Sequence, residues 1–114
     1  MNIELTELDG ITMLAPSGRI DTTTSGAVEQ SVKHAVDMGA RLLVIDFSAT
    51  EYISSAGLRV FLVLAKRMRD LRGRLILCGM PEPVAQVFRL AGFMALFQVE
   101  KSRAEAIARI GSPA

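Results

Sequence analysis

Two adjacent serines, Ser54 and Ser55, lie where a predicted strand and short loop end and a predicted helix begins. Small hydroxyl residues are well suited to cap a helix N-terminus, and capping alone is the simpler interpretation of the pair. However, one hydroxyl suffices for a cap, and the next residues, Ala56 and Gly57, cover little of the neighbouring backbone. We therefore predict that the pair also serves a partner protein that approaches closely at this point.

The sequence offers little else for catalysis. The only histidine, His34, lies in the middle of a predicted helix among polar neighbours, so a Ser-His-Asp arrangement would have to be built on a surface residue. One histidine and one cysteine are too few for an ordinary zinc site, and no glycine-rich phosphate loop is present. We expect no catalytic residues, no metal site and no cofactor.

The charge balance argues against a nucleic-acid-binding protein. The chain of 114 residues has 13 basic and 12 acidic side chains, and 50% of it is hydrophobic, which is ample for one core. Four arginines cluster around an aspartate, and a solvated helix end is the favoured interpretation of them over a phosphate-binding patch. These residues are Arg67, Arg69, Arg72 and Arg74, interrupted by Asp70. We expect no direct binding of DNA or RNA.

No targeting or membrane segment is visible in the sequence. The N-terminus lacks a basic region followed by an apolar stretch, and the longest apolar run, 60–65, is far below the ~20 residues needed to span a bilayer. The single cysteine, Cys78, ends an apolar run and is interpreted as a small buried thiol. A cytoplasmic location without a membrane span is the expectation.

The first twenty residues predict an antiparallel β-hairpin. Apolar residues alternate with polar ones on both sides of Asp9-Gly10, a dipeptide typical of hairpin turns. Pro16 cannot donate a backbone hydrogen bond, so the second strand is expected to end there or to lie at a sheet edge. Thr24 or Ser25 then caps a first helix that ends at Gly39, and the sequence does not choose between the two caps.

The remainder of the chain alternates strands and helices, which indicates parallel strands joined by crossovers. We therefore predict a single α/β domain over residues 1–114, with a mixed sheet opened by the hairpin and a short tail at 111–114. The predicted strands are 41–46, 74–78 and 96–99; the predicted later helices run from Ser55 to Leu71, from Pro83 to Gly92 and from a capping box at Ser102 to Gly111.

The segment 47–62 resembles the signature of STAS domains, in particular of bacterial anti-sigma factor antagonists. In that family a strand that ends in Asp-x-Ser is followed by an aromatic-apolar-Asp-Ser-Ser/Thr-Gly-Leu segment. Asp46 and Ser48 match the strand end, and residues 52–58 match the segment. The resemblance implies a STAS-type fold and places Ser55 at the position that a partner kinase phosphorylates.

Three further segments match the family in the correct order, so the resemblance covers essentially the whole chain. Residues 18–21 are similar to a Gly-x-Ile/Leu-Asp segment whose aspartate, Asp21 here, lies near the phosphorylated serine in the family. Gly73 matches a glycine before a strand, and residues 88–93 resemble a Leu-Phe-x-x-x-Gly-Leu segment. Asp21 therefore has two interpretations: a local cap in its threonine-rich loop, or a group that orients phosphate transfer.

The resemblance implies a binding protein that is switched by phosphorylation. The unphosphorylated chain would bind an anti-sigma factor, which then releases its sigma factor. That partner is also a serine kinase of the HATPase type, with ATP in its own site, and a PP2C-type phosphatase is the expected further partner. The expected partner-binding residues are Asp21, Thr22, Ser54, Ser55, Ala56, Gly57, Arg59 and Val60.

The run from Val60 to Leu64 is apolar over a wider arc than one buried helix face requires. The helix is either packed on two sides, or Val60 or Val63 belongs to the partner surface together with Arg59.

Two departures from the family pattern keep alternatives open. Ser54 stands where the family has aspartate, and Ala56 where it has serine or threonine. Loss of the aspartate removes a negative charge beside the acceptor, which would alter kinase recognition or make Ser54 a second acceptor. The alternative functions are a non-phosphorylated STAS scaffold or soluble subunit of a lipid-transport or transporter complex and, more distantly, a hydrolase that depends on Ser55.

Overall fold

The computed structural model describes residues 1–111, and the end of the expected tail, residues 112–114, lies outside this range. The chain forms six strands, four α-helices and one short 3-10 turn within the described range. The strands are β1 (Asn2–Leu8), β2 (Ile11–Ile20), β3 (Leu42–Asp46), β4 (Thr50–Ile53), β5 (Arg74–Cys78) and β6 (Gln98–Glu100). The helices are α1 (Ser25–Asp37), α2 (Ser55–Asp70), α3 (Glu82–Leu90) and α4 (Arg103–Ile110), and the 3-10 turn is Met94–Leu96.

The strands form the mixed sheet that the sequence predicts. The sheet order is β1-β2-β3-β5-β6, and β4 pairs with the far end of β2. The β1–β2 hairpin is antiparallel, whereas every other pairing is parallel. The predicted α/β class with an opening hairpin is therefore confirmed.

The expectation for Pro16 is wrong, because β2 continues through this residue to Ile20 in the interior of the sheet. β2 exchanges its partner at that point: it pairs with β3 up to Leu14 and with β4 from Gly18 onward. Pro16 lies between the two partners, where no backbone donor is required on that side. Its carbonyl oxygen accepts a hydrogen bond of 2.7 Å from the Thr50 hydroxyl.

The sequence does not predict strand β4, because residues 48–53 have the pattern of a loop. The strand has four residues, and its partner is the end of β2, more than thirty positions earlier in the chain. A pattern this short carries no clear alternation of apolar and polar residues. The last strand is also shifted: the 3-10 turn Met94–Leu96 comes first, and the strand is Gln98–Glu100 rather than 96–99.

Three helices cover one face of the sheet and α4 covers the other. The main core contains Phe47, Phe61 and Phe88, with the ring centroid of Phe47 at 5.0 Å from that of Phe61 and 6.0 Å from that of Phe88. On the opposite face, Ala106 and Ile110 of α4 belong to a second cluster with apolar side chains of β2, β3 and β5. This arrangement leaves the start of α2 on the face with three helices.

The buried interpretation of Cys78 is confirmed. This thiol is 0% exposed and belongs to the second cluster, beneath α4. Burial in these surroundings raises its pKa to about 12. The thiolate is therefore negligible at neutral pH, which makes this cysteine chemically inert.

An ion pair fixes α4 to the sheet. Asp46, at the end of β3, is 6% exposed, and its Oδ2 accepts a hydrogen bond of 3.0 Å from Nε of Arg103. Its other oxygen accepts from the backbone N–H of Ser48 at 3.0 Å. Burial is the largest single influence on Arg103 and disfavours its charge, but the hydrogen bonds and charges of Asp46 and Glu4 together outweigh it and raise the pKa of the guanidinium. The pair thus compensates a carboxylate that is otherwise costly to bury.

The Arg103→Ala variant should lower the free energy of unfolding by about 2 kcal/mol, because it leaves Asp46 buried without its cation. The full cost of breaking a buried pair is reduced here because the Arg103 side chain is 34% exposed. Urea unfolding followed by circular dichroism measures the effect. Arg109→Ala, at an exposed arginine of the same helix, is the control. Equal costs for the two variants would show that the Asp46 pair does not stabilise the fold.

Candidate functional site

The two serines at the start of α2 have different roles. Ser54 is the N-cap residue, with extended backbone (φ −89°, ψ 173°), and its Oγ accepts a hydrogen bond of 3.2 Å from the backbone N–H of Gly57. Ser55 is the first residue of the helix, and its side chain is exposed. Within residues 1–111 its hydroxyl makes no hydrogen bond. The structure therefore assigns the cap to Ser54 and leaves the Ser55 hydroxyl available.

Gly57 has a structural role that differs from the predicted one. It is buried rather than beside an uncovered surface, and a Cβ placed on it would lie 2.6 Å from Cγ2 of Ile20 and 2.9 Å from Cγ1 of Ile53. Only glycine therefore allows α2 to approach the ends of β2 and β4 this closely. The expectation that its backbone is open to a partner is wrong, because the helix turns this position inward.

The loop that contains Asp21 is joined to the start of α2. The backbone N–H of Ser54 donates a hydrogen bond of 2.8 Å to the carbonyl oxygen of Ile20. The next residue, Asp21, uses Oδ1 to accept from the hydroxyl of Thr23 at 2.7 Å and from its N–H at 2.9 Å. These bonds, led by that of the hydroxyl, hold the pKa of Asp21 below its ordinary value. Asp21 is thus ionised, ordered and next to the serine pair along the sheet.

The structure resolves one open choice and clarifies another. Thr24 is the N-cap residue of α1, but its hydroxyl donates to the carbonyl of Arg19 at 2.7 Å instead of capping that helix. Asp21 makes local contacts through Oδ1, while its Oδ2 accepts no hydrogen bond from residues 1–111. The carboxylate therefore stabilises its own loop and still offers one oxygen to a partner.

Two grooves that share Arg59 flank the first turns of α2. One, of about 510 Å³, runs between α2 and the residues that follow α3, and its lining includes Ser55, Arg59 and Phe93. The other, of about 410 Å³, lies between α1 and α2, and Arg59 lines it together with Val63. Arg59 consequently forms the ridge between the grooves.

The apolar arc of α2 is explained by these grooves. Val63 is 60% exposed, whereas Val60 is 6% exposed and belongs to the main core. Val60 also lines the groove between α1 and α2, so a partner reaches it only as part of the groove floor. Of the two valines considered for a partner surface, the exposed Val63 is therefore the better candidate than the buried Val60.

The structure places the histidine, the potential metal ligands and the helices of residues 1–111 as follows. His34 is exposed in the last turn of α1. No group of three His, Cys, Asp or Glu side chains within residues 1–111 could hold a metal ion. Among the described residues, no helix is both long and apolar enough to cross a membrane.

The family model described as the STAS domain matches residues 2–106. The chain belongs to the STAS domain family. The helix start at Ser54 and Ser55, the loop of Asp21 and both grooves all lie within the matched residues.

One curated relative and two solved structures are similar to this chain along most of its length. The chain is 36% identical, over 95% of its length and 93% of the relative, to BtrV of Bordetella bronchiseptica, a candidate anti-sigma factor antagonist. Its fold is similar to that of an anti-sigma factor antagonist from Mycobacterium paratuberculosis (TM-score 0.90, 23% identity, 97% and 94% of the two chains). It also resembles SpoIIAA of Bacillus in the phosphorylated form (TM-score 0.74, 19% identity, 96% and 99% of the two chains).

Gly57→Ala should lower the free energy of unfolding by about 2 kcal/mol, since the added methyl group overlaps two core isoleucines. Gly26→Ala is the matched control, because no atom lies within 4 Å of the position that a Cβ would take on this glycine of α1. That variant should leave stability unchanged or raise it by up to about 1 kcal/mol. Urea unfolding compares the two; a tolerated methyl group at Gly57 would contradict the close approach described above.

Ser54→Ala should cost about 1 kcal/mol of stability through loss of the cap. Ser55→Ala should change stability by less than about 0.5 kcal/mol, because an exposed hydroxyl without a partner is removed. Thermal unfolding of both variants against the wild type measures the difference. If Ser55→Ala were the more destabilising of the two, the assignment of the cap would be wrong.

Proposed function

We propose that this chain is an anti-sigma factor antagonist that is switched off by phosphorylation of Ser55. In the unphosphorylated form it binds an anti-sigma factor that is also a serine kinase, and the sigma factor is released. The observation that carries the proposal is the division of roles at the start of α2: Ser54 caps the helix, while Ser55 is exposed with a hydroxyl that makes no bond within residues 1–111.

The known relatives support this function. BtrV, at 36% identity over 95% of this chain, is named as a candidate anti-sigma factor antagonist. SpoIIAA, which shares the fold, has been solved in both phosphorylated and unphosphorylated forms. A regulatory binding protein of this kind needs no catalytic residue of its own, because the kinase supplies ATP and the phosphoryl-transfer chemistry.

Ser55 is a better acceptor than Ser54 for a physical reason. A phosphate on Ser54 would convert Oγ, which accepts from the N–H of Gly57, into an ester oxygen that accepts more weakly, at a turn of α2 that packs closely on Ile20 and Ile53. A phosphate on Ser55 would instead extend into the groove of about 510 Å³ that this residue lines. Ser54, which stands where the family has aspartate, therefore serves as a helix cap and is not a second acceptor equivalent to Ser55.

The phosphorylated chain should remain folded. Phosphoserine has a charge of roughly −1.5 to −2 at pH 7, and the exposed N–H groups and dipole at a helix N-terminus favour a negative charge. The phosphate acts instead on the partner, because it adds charge and a strongly hydrated group where the partner packs. A loss of about 3 kcal/mol corresponds to more than 100-fold weaker binding.

The partner surface is expected to extend from the Asp21 loop across the start of α2. Asp21, Thr22, Ser54, Ser55, Ala56 and Arg59 lie at or near the exterior there, while Gly57 and Val60 contribute by fixing the helix and the groove floor. We expect the interaction to take place in the cytoplasm, because the single cysteine is a buried free thiol, consistent with a reducing compartment. A PP2C-type phosphatase would restore the binding form.

Phosphopeptide mass spectrometry after incubation with ATP and the candidate serine kinase tests the proposal. The expected result is phosphate on Ser55 in the wild type and in Ser54→Ala, and no phosphate in Ser55→Ala. Phosphate on Ser54 would keep the switch but move the acceptor. No phosphate with any candidate kinase would contradict the switch and favour a constitutive scaffold or transport-complex subunit.

The binding step has its own test. Ser55→Asp should bind the anti-sigma factor at least 100-fold more weakly than the wild type, as measured by isothermal titration calorimetry. Ser102→Asp, at the cap of the distant α4, controls for the added charge and should bind as the wild type does. Wild-type affinity in Ser55→Asp would contradict the proposed interface.

A further inference from the structure

Arg59 lies one helical turn after Ser55, on the same exposed side of α2. The two side chains line the same groove of about 510 Å³. Residues four apart on a helix are neighbours, with Cβ atoms roughly 5–6 Å apart. Arg59 is the only charged residue among those that line this groove within residues 1–111. A charge added to Ser55 therefore has Arg59 as its charged neighbour in this groove.

The Arg59 guanidinium is uncommitted in the described part of the chain. It forms no ion pair and donates no hydrogen bond to residues 1–111. Glu29 of α1 lines the neighbouring groove with Arg59, but no ion pair joins them in the described structure. The other cation near the loop, Arg19, is already stacked over the Tyr52 ring, with Cζ 4.4 Å from the ring centroid.

We propose that Arg59 is the intramolecular counter-cation of phosphorylated Ser55, and that phosphorylation thereby withdraws this cation from the partner surface. The proposal rests on the proposed phosphorylation of Ser55. Arginine is suited to this role because its planar guanidinium donates two parallel hydrogen bonds to phosphate oxygens. The order along the helix is also favourable, since an anion four residues before a cation is the better orientation.

Phosphorylation of Ser55 changes the charge that the groove presents to a partner. Without phosphate, Arg59 gives the groove a charge of +1, so the anti-sigma factor should place an acidic side chain opposite it. With phosphate, the same groove carries about −1, and the guanidinium is engaged within the chain. Phosphorylation thus adds repulsion and removes an attraction in one step, although only a single group is transferred.

The test uses full-length protein with phosphoserine incorporated genetically at position 55, so that it does not depend on the kinase. Phosphorus NMR measures the second pKa of this phosphate in the wild type and in three variants. Arg59→Ala should raise that pKa by about 0.4 units, because the nearby cation stabilises the dianion. Arg59→Lys should restore most of the difference.

The control is Arg69→Ala, which removes an arginine of the same helix that is 74% exposed and far from Ser55; it should leave the phosphate pKa unchanged. Two acidic groups lie nearby: Asp21 in the loop beside the serine pair, and Glu29, which lines the neighbouring groove with Arg59. Both are present in every variant, so their effects on the phosphate pKa cancel in the comparison. A phosphate pKa that is identical in the wild type and Arg59→Ala would overturn the proposal.

A second arm examines the unphosphorylated chain. Arg59→Glu should bind the anti-sigma factor at least 10-fold more weakly than the wild type, while Arg69→Glu should bind normally. Wild-type affinity in Arg59→Glu would overturn the partner half of the proposal. Failure of the phosphorylation switch itself is recognised separately, as the absence of phosphate on Ser55 after treatment with the kinase.

Discussion

The close approach of α2 to the sheet at Gly57 is the constraint on which the candidate site depends. A single methyl group at this position would overlap side chains of Ile20 and Ile53, at the ends of β2 and β4. The same place is held by the hydrogen bond from the N–H of Ser54 to the carbonyl of Ile20. The first turn of α2 is thereby fixed to the loop of Asp21. The exposed Ser55 hydroxyl and the ionised Asp21 carboxylate are therefore held in one arrangement relative to each other.

That contact exists only because β2 has two successive partners. The strand pairs with β3 up to Leu14 and with β4 from Gly18, and Pro16 occupies the interval. The extension brings Ile20 beyond the edge of β3 to the point where α2 begins. A strand that ended at Pro16 would leave the helix without its support and the Asp21 loop without a fixed origin.

The fold separates structural charges from those available to a partner. The pair of Asp46 and Arg103 is largely buried on the face that α4 covers, where it joins two elements distant in sequence. Arg59 and Ser55 lie on the face with three helices, at the edge of open grooves. A phosphate on Ser55 can therefore be added without disturbing the ion pair of Asp46 and Arg103. This separation is consistent with the proposed phosphorylation switch, which changes binding rather than folding.

Local signals in the sequence determined most of the elements and the position of the candidate site. The turn at Asp9-Gly10, the apolar spacing of the helices and the serine pair before Leu58 act over a few residues, and the structure confirms the hairpin and the start of α2. Only the tertiary structure assigned the helix cap to Ser54, turned Gly57 inward and revealed β4. These features depend on contacts between residues such as Ile20 and Gly57, which are far apart in the chain, and no local pattern specifies which distant side chains will meet.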